Sequence, residues 1–210
     1  MKKILFPILT ALLLTGCATR PALMEPIQNP DNTIPKGKAV VTFFRTSNFY
    51  GPAQVLVARE TDENDIELVG TTSVGTQVRD IVDPGEVNYV IDFEVPGFFD
   101  PDVLKGNVEA DKAYYVRVEP HVHFKALRGQ PRFVLHKIKP TQLITENLIE
   151  KIKATKVVET NKEGEKRFSE RKNDLKQILL EGKENFNKYS EKEQNLHTIQ
   201  PEDGVNELVH

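Results

Sequence analysis

Two sets of side chains in this sequence are of types that could do chemistry. The first is a lone thiol, Cys17, which is the one cysteine among 210 residues and follows a glycine at the end of an apolar run. A thiolate is a strong nucleophile, so this residue could form a covalent bond. The second set is three histidines that common metal sites would use as ligands: His121, His123 and His136.

The segment before Cys17 has the order of parts found in an export signal. Lys2 and Lys3 form a positive start, residues 4–14 are apolar-rich, and the small residues Thr15 and Gly16 follow. The apolar run is too short to span a bilayer, which takes ~20 residues. We therefore predict that residues 1–16 are a signal peptide.

The tetrapeptide Leu14-Thr15-Gly16-Cys17 resembles the lipobox of bacterial lipoproteins. The resemblance implies that a peptidase cleaves before Cys17 and that its sulfur carries a covalent lipid. In that family an Asp after the cysteine is the usual inner-membrane retention signal in enteric bacteria, and this chain has Ala18. The resemblance therefore implies an outer-membrane anchor that faces the periplasm. At roughly 0.8 kcal/mol per buried CH₂, such acyl chains would hold the protein at the membrane.

The three histidines depend on the register of a predicted hairpin. If Arg128-Gly129 forms a two-residue turn, His121 faces His136 across the strand pair and His123 lies on the same side. The three imidazoles could then bind one metal, as in a metal-binding protein or a metal-dependent hydrolase. The alternative, which we prefer, is a polar sheet face with solvated histidines. We therefore expect no metal and no cofactor besides the lipid on Cys17.

Two aromatic turns could form a binding rim. They are "SNFYG", which holds Phe49 and Tyr50, and "PGFFD", which holds Phe98 and Phe99. Aromatic loop residues can contact protein, glycan or lipid, but they can also fold back over a sandwich. Arg45 has two similar interpretations, a buried ion pair or a contact residue.

Residues 36–140 have the pattern of short β-strands. Apolar and polar residues alternate over 86–95 except at Val90, which predicts a strand with one face in a core and would leave Asp92 on the opposite face. We predict a mostly β fold, an Ig-like antiparallel β-sandwich of about seven strands. The predicted strands are 39–44, 53–59, 66–70, 76–82, 86–95, 113–124 and 132–138.

Two flanking segments differ from this pattern. Residues 17–35 are rich in proline and predict an extended, lipidated tether. Residues 141–210 predict a charged helical extension, in which Ile144, Leu148 and Ile152 recur at helical spacing. Between residues 161 and 196 a sparse apolar stripe runs among Lys and Glu, which indicates either a long charged helix, the interpretation we prefer, or a partly disordered tail. We expect this helix to be dispensable for folding of residues 36–140 and to bind an envelope protein. The stripe consists of Phe168, Leu175, Ile178, Leu179, Phe186 and Tyr189.

The order of several motifs resembles a small β-sandwich domain of unknown function found in many bacterial lipoproteins. The motifs are Phe43-Phe44-Arg45, Gly51, Val69-Gly70, Asp83-Pro84-Gly85 and the strand from Ala113 to Val118. The resemblance covers roughly residues 36–140, and it implies a fold and a location without a reaction.

Composition and missing motifs narrow the function further. The formal charge is −3 with no basic stripe, which argues against a nucleic-acid partner. No nucleophile elbow, phosphate-binding loop, dinucleotide fingerprint or zinc-protease motif occurs in the sequence. We therefore expect a non-enzymatic interaction or scaffolding module of the cell envelope.

Overall fold

The computed structural model describes residues 22–46, 53–61, 65–93, 102–121 and 132–209. Within these ranges the chain forms eleven strands and four α-helices. In chain order they are β1 (Met24–Pro26), β2 (Ala39–Arg45), β3 (Val55–Glu60), β4 (Ile66–Thr72), β5 (Thr76–Val82), β6 (Gly85–Phe93), β7 (Asp102–Val108), β8 (Lys112–His121), β9 (Arg132–Ile138), α1 (Pro140–Thr145), α2 (Leu148–Lys153), β10 (Lys156–Thr160), α3 (Lys162–Phe186), α4 (Glu191–Leu196) and β11 (Thr198–Ile199).

The strands form two sheets that pack face to face. One sheet has the order β1-β10-β5-β2-β8-β9, and the other has the order β11-β7-β6-β3-β4. Three pairs are parallel, namely β2 with β8, β5 with β10 and β7 with β11. The mostly β fold is therefore confirmed, and each of the seven predicted strands is present.

The antiparallel, Ig-like form of seven strands is wrong. Both sheets are mixed, because β2 and β8 are parallel neighbours in one and β7 and β11 in the other, and a hairpin cannot connect parallel strands. The prediction also missed β1, β7, β10 and β11. Of these, β10 and β11 join the sheets through parallel pairs that are far apart in sequence.

The main core lies between the two sheets and follows the predicted alternation. Val87, Tyr89 and Ile91 of β6 all point into it and are buried. Phe43 of β2 meets the Tyr89 ring edge-on from the other sheet, with ring centroids 4.9 Å apart. These contacts join the sheets along their centre.

Both outer sheet faces are also covered, which makes four layers. Leu175 and Leu179 of α3 pack on Ala58, Val90 and Val103 of the second sheet. On the first sheet, the outer residues of β2 and β8 pack under α2 and the C-terminal segment. That second group contains Val40, Phe44, Ala113, Tyr115, Ile138, Leu143, Leu148, Ile152 and Leu208.

The flanking segments are therefore part of the folded body. Residues 141–210 supply β10 and β11 to the sheets and α3 to the outer layer, so they pack as part of the same body, and we now expect folding to need them. Within the predicted tether, Leu23 is buried and β1 pairs with β10. Among the helices of the described ranges, none has the length and apolar character that crossing a membrane requires.

Candidate functional site

The structure separates the predicted histidine set. In the β8–β9 pair the Cα partner of His121 is Arg132, and the partner of His136 is Arg117. The register thus differs by four residues from the one that a turn at Arg128-Gly129 would impose. Because four is even, the predicted faces are kept, and the buried residues Val118 and Leu135 pair directly.

This register does not provide the direct pairing of His121 with His136 on which the metal hypothesis depended. His121 and His136 do not face each other, and His123 lies outside the described residues. In the part of the chain that the structure describes, no group of three or more His, Cys, Asp or Glu could hold a metal ion.

The predicted rim residues Phe49, Tyr50, Phe98 and Phe99 also lie outside the described residues, so the rim stays a prediction. The strand ends that flank those segments are described. Val55 at the start of β3 pairs with Phe93 at the end of β6. Both segments therefore leave and rejoin the same end of the sandwich.

Arg45 is held inside this same end. The side chain is buried, and its guanidinium donates to the carbonyl oxygen of Ala53 at 2.6 Å. Burial lowers the pKa of Arg45, and the nearby charge of Glu119 opposes that shift. Of its two interpretations, the buried electrostatic role fits and the exposed contact residue does not.

Cys17 lies outside the described residues, and the first described residues, Ala22 and Leu23, are hydrogen-bonded to the body. The Leu23 amide donates to Oε1 of Gln54 at 2.6 Å. Nδ2 of Asn161 donates to the Ala22 carbonyl oxygen at 2.8 Å, and the Asn161 amide donates to the Leu23 carbonyl oxygen at 3.1 Å. The chain therefore enters the body at a fixed place.

The local sequence explains why α3 begins at that place. Oδ1 of Asn161 accepts from the amides of Glu163 and Gly164, both at 3.1 Å, which caps the first turn. A Cβ on Gly164 would collide with the Leu23 carbonyl oxygen, so only glycine lets the helix approach β1 so closely. Sequence reasoning missed this contact because Leu23 and Gly164 are far apart in the chain.

Other polar groups of the body form pairs that the sequence did not single out. Arg171 of α3 reaches the buried Asp92 of β6 at 2.5 Å. Nδ1 of His197 lies 3.4 Å from Oδ2 of Asp102, where β11 joins β7. Such pairs join distant segments, so no local spacing could have revealed them.

A large cleft contains a similar pair. It has a volume of about 780 Å³ and lies between the start of α1, the helix α4 and the turn at residues 201–203. Nζ of Lys137 lies 2.9 Å from Oδ2 of the buried Asp203, which also accepts from the Gln200 amide at 2.8 Å. The charges of Lys137 and Asp203 are thus paired with each other.

Comparisons with known proteins identify no family. The chain matches no family model and no curated protein. Among solved structures it is similar to a chain titled "Crystal structure of (S)-allantoin synthase", with 13% identity and a TM-score of 0.29. That match covers 50% of this chain and 45% of the other, so it spans less than half of that protein's length. At this TM-score the likeness carries no argument about fold or function.

Proposed function

We propose that this protein is an outer-membrane lipoprotein, anchored through a lipid on Cys17, whose body faces the periplasm. In this proposal the body is a non-enzymatic interaction or scaffolding module. The observation that carries it is the order of a positive start, a short apolar run and Leu14-Thr15-Gly16-Cys17. The attachment of Ala22 and Leu23 to the body supports it, because a lipid on Cys17 would then hold a folded body at the membrane.

In this proposal the partner contacts the polar face of α3. Four residues of the apolar stripe already pack against the second sheet, namely Phe168, Leu175, Ile178 and Leu179. The opposite side is exposed over most of the helix length and carries Asn173, Asp174, Gln177 and Glu181. A partner that recognises this side would be polar or charged itself.

The anchor is tested by Cys17→Ser in an enteric host grown with radiolabelled palmitate. A hydroxyl cannot form the thioether, so we expect the variant to stay uncleaved and unlabelled. Ala18→Asp is the matched control, because it keeps the thiol. We expect this variant to be labelled but retained in the inner membrane. Normal processing of Cys17→Ser would contradict the proposal.

The interaction role is tested by a photo-crosslinking residue at Gln177 in the lipidated protein, with the same residue at Lys36 as control. Both positions are exposed, but Lys36 precedes β2, away from α3. We expect one discrete envelope-protein adduct from Gln177 and none from Lys36. An absence of adducts from Gln177, or the same adducts from both sites, would argue against a partner on α3.

A further inference from the structure

We infer that the sandwich stands with one particular end against the lipid surface, an inference that rests on the proposed lipid at Cys17. We call this the anchor end and define it by Ala22, Leu23, Gln54 and the turn at residues 73–75. The opposite end, called the far end, is defined by the Lys38–Asp83 ion pair and the residues around Asp111.

The first described residues contact the starts of β3 and β5, which lie at the anchor end. Leu23 bonds to Gln54, which immediately precedes β3. Met24 receives a contact from Thr76 at the start of β5, with Oγ1 3.8 Å from Sδ. The Gly75 amide donates to the carbonyl oxygen of Arg45 at the end of β2, at 2.9 Å. The chain from Cys17 therefore meets the sandwich where three of its strands begin or end.

The length of chain before Ala22 limits how far this end can lie from the lipid. Five residue steps separate Cys17 from Ala22, and a fully extended chain spans at most about 18 Å over five residues. Ala22, the first described residue, is exposed. The anchor end must then lie within about 18 Å of the lipid attachment.

The length of the strands argues against the opposite orientation. β2 and β5 each have seven residues, so six steps of ~3.3 Å separate their first and last residues by roughly 20 Å. With the far end on the lipid, Ala22 would stand further from the surface than its five residues can reach.

The test compares two single-cysteine variants of the full lipidated chain, Ser73→Cys at the anchor end and Glu86→Cys at the far end. Because lipid blocks Cys17, the introduced thiol is the one available for a fluorescent label. The protein is placed in vesicles of phosphatidylethanolamine and phosphatidylglycerol that contain a headgroup nitroxide quencher. We expect several-fold stronger quenching at residue 73 than at residue 86.

A long flexible insertion provides the control. About 20 Gly and Ser residues inserted after Thr19 would lengthen the tether severalfold, so the difference between the two labels should shrink. Equal quenching without the insertion, or stronger quenching at residue 86, would overturn the orientation. The mass of the intact protein distinguishes a wrong orientation from a missing anchor. A chain without lipid on Cys17 would overturn the proposed function as well.

Discussion

Asp80 is a carboxylate enclosed between the two sheets. The Tyr89 hydroxyl donates to its Oδ2 at 3.0 Å, and Nε of Arg59 lies 3.5 Å from the same oxygen. Arg59 also pairs with Glu67 on the adjacent strand. Burial raises the pKa of Asp80, and the Arg59 charge and the Tyr89 hydrogen bond oppose this shift only in part.

This raised pKa predicts a pH dependence of stability. The folded protein binds a proton on Asp80 at a higher pH than the unfolded chain does. The contribution of Asp80 to the free energy of unfolding therefore grows as the pH falls through the folded pKa, and it is complete below the unfolded value of 3.8. Asp80→Asn removes this contribution while keeping an oxygen that accepts from Tyr89.

The measurement is denaturant unfolding of wild type and Asp80→Asn between about pH 7 and pH 4. We expect the wild type to gain stability relative to the variant as the pH falls, and a constant difference would refute the assignment. Asp65 has the opposite sign, because its hydrogen bond to Lys172 lowers the pKa to about 2. Its stabilising contribution is lost as the pH falls from 3.8 towards 2.

Asp92 gives a second prediction, which reverses the expectation from its alternating strand. It is buried beneath α3 and paired with Arg171. We expect Asp92→Ala to lower the free energy of unfolding by ~1 to 3 kcal/mol, because it leaves the partly buried Arg171 charge without its carboxylate partner. Asp174→Ala, an exposed carboxylate of the same helix, should change it by less than ~0.5 kcal/mol. Equal effects in chemical denaturation would be inconsistent with the pairing.

At the scale of elements, the close contact of α3 with β7 depends on one glycine. Gly182 lies in the helix interior, where glycine costs ~1 kcal/mol relative to alanine. A Cβ at this position would collide with the Val103 side chain, which explains why glycine is needed. The helix is thus locally weakened where it contacts this strand of the sheet.

We therefore expect Gly182→Ala to destabilise the protein by ~1 to 3 kcal/mol, despite the better helix propensity of alanine. Val103→Ala should relieve the collision, so the double variant should lose less than the sum of the two single variants. A double-mutant cycle in denaturant measures this coupling. A stabilising Gly182→Ala would show that the helix does not sit as described.

The strands show how far local sequence patterns reach. Two predicted strands, β5 and β9, have the bounds that were predicted, because apolar alternation and flanking turns are local signals. The same alternation in β6 located the core but assigned Asp92 to the wrong environment, since it cannot show that a helix covers the second face. Alternation with a period of two therefore shows which residues share a sheet face, but it does not show what covers that face.

Tertiary pairing accounts for the elements that were missed. β10 is a five-residue strand between two helices, and it is held by its parallel pairing with β5. The β8–β9 register was misplaced because the prediction assumed a two-residue turn between His121 and Arg132. The predicted helix with Ile144, Leu148 and Ile152 is divided at Asn147, which has a left-handed conformation with φ 51°.

At the scale of the whole molecule, the helical layer over the second sheet predicts that the body needs the part of the chain that follows Thr160. Ending the chain there removes Leu175, Leu179 and Phe186, each worth ~1.5 to 3 kcal/mol of burial. It also removes β11 and the Leu208 contact on the first sheet. We expect the shortened chain to lose its cooperative thermal transition. An unchanged melting temperature would mean that the helix is peripheral.

The central claim, a lipid on Cys17, is tested most directly by mass spectrometry of the mature N-terminus. The protein should be purified from membranes without a tag at its start, digested, and its first peptide sequenced. We expect that peptide to begin at Cys17 and to carry a diacylglyceryl thioether. A first peptide that begins at Met1, or an unmodified Cys17, would contradict the account.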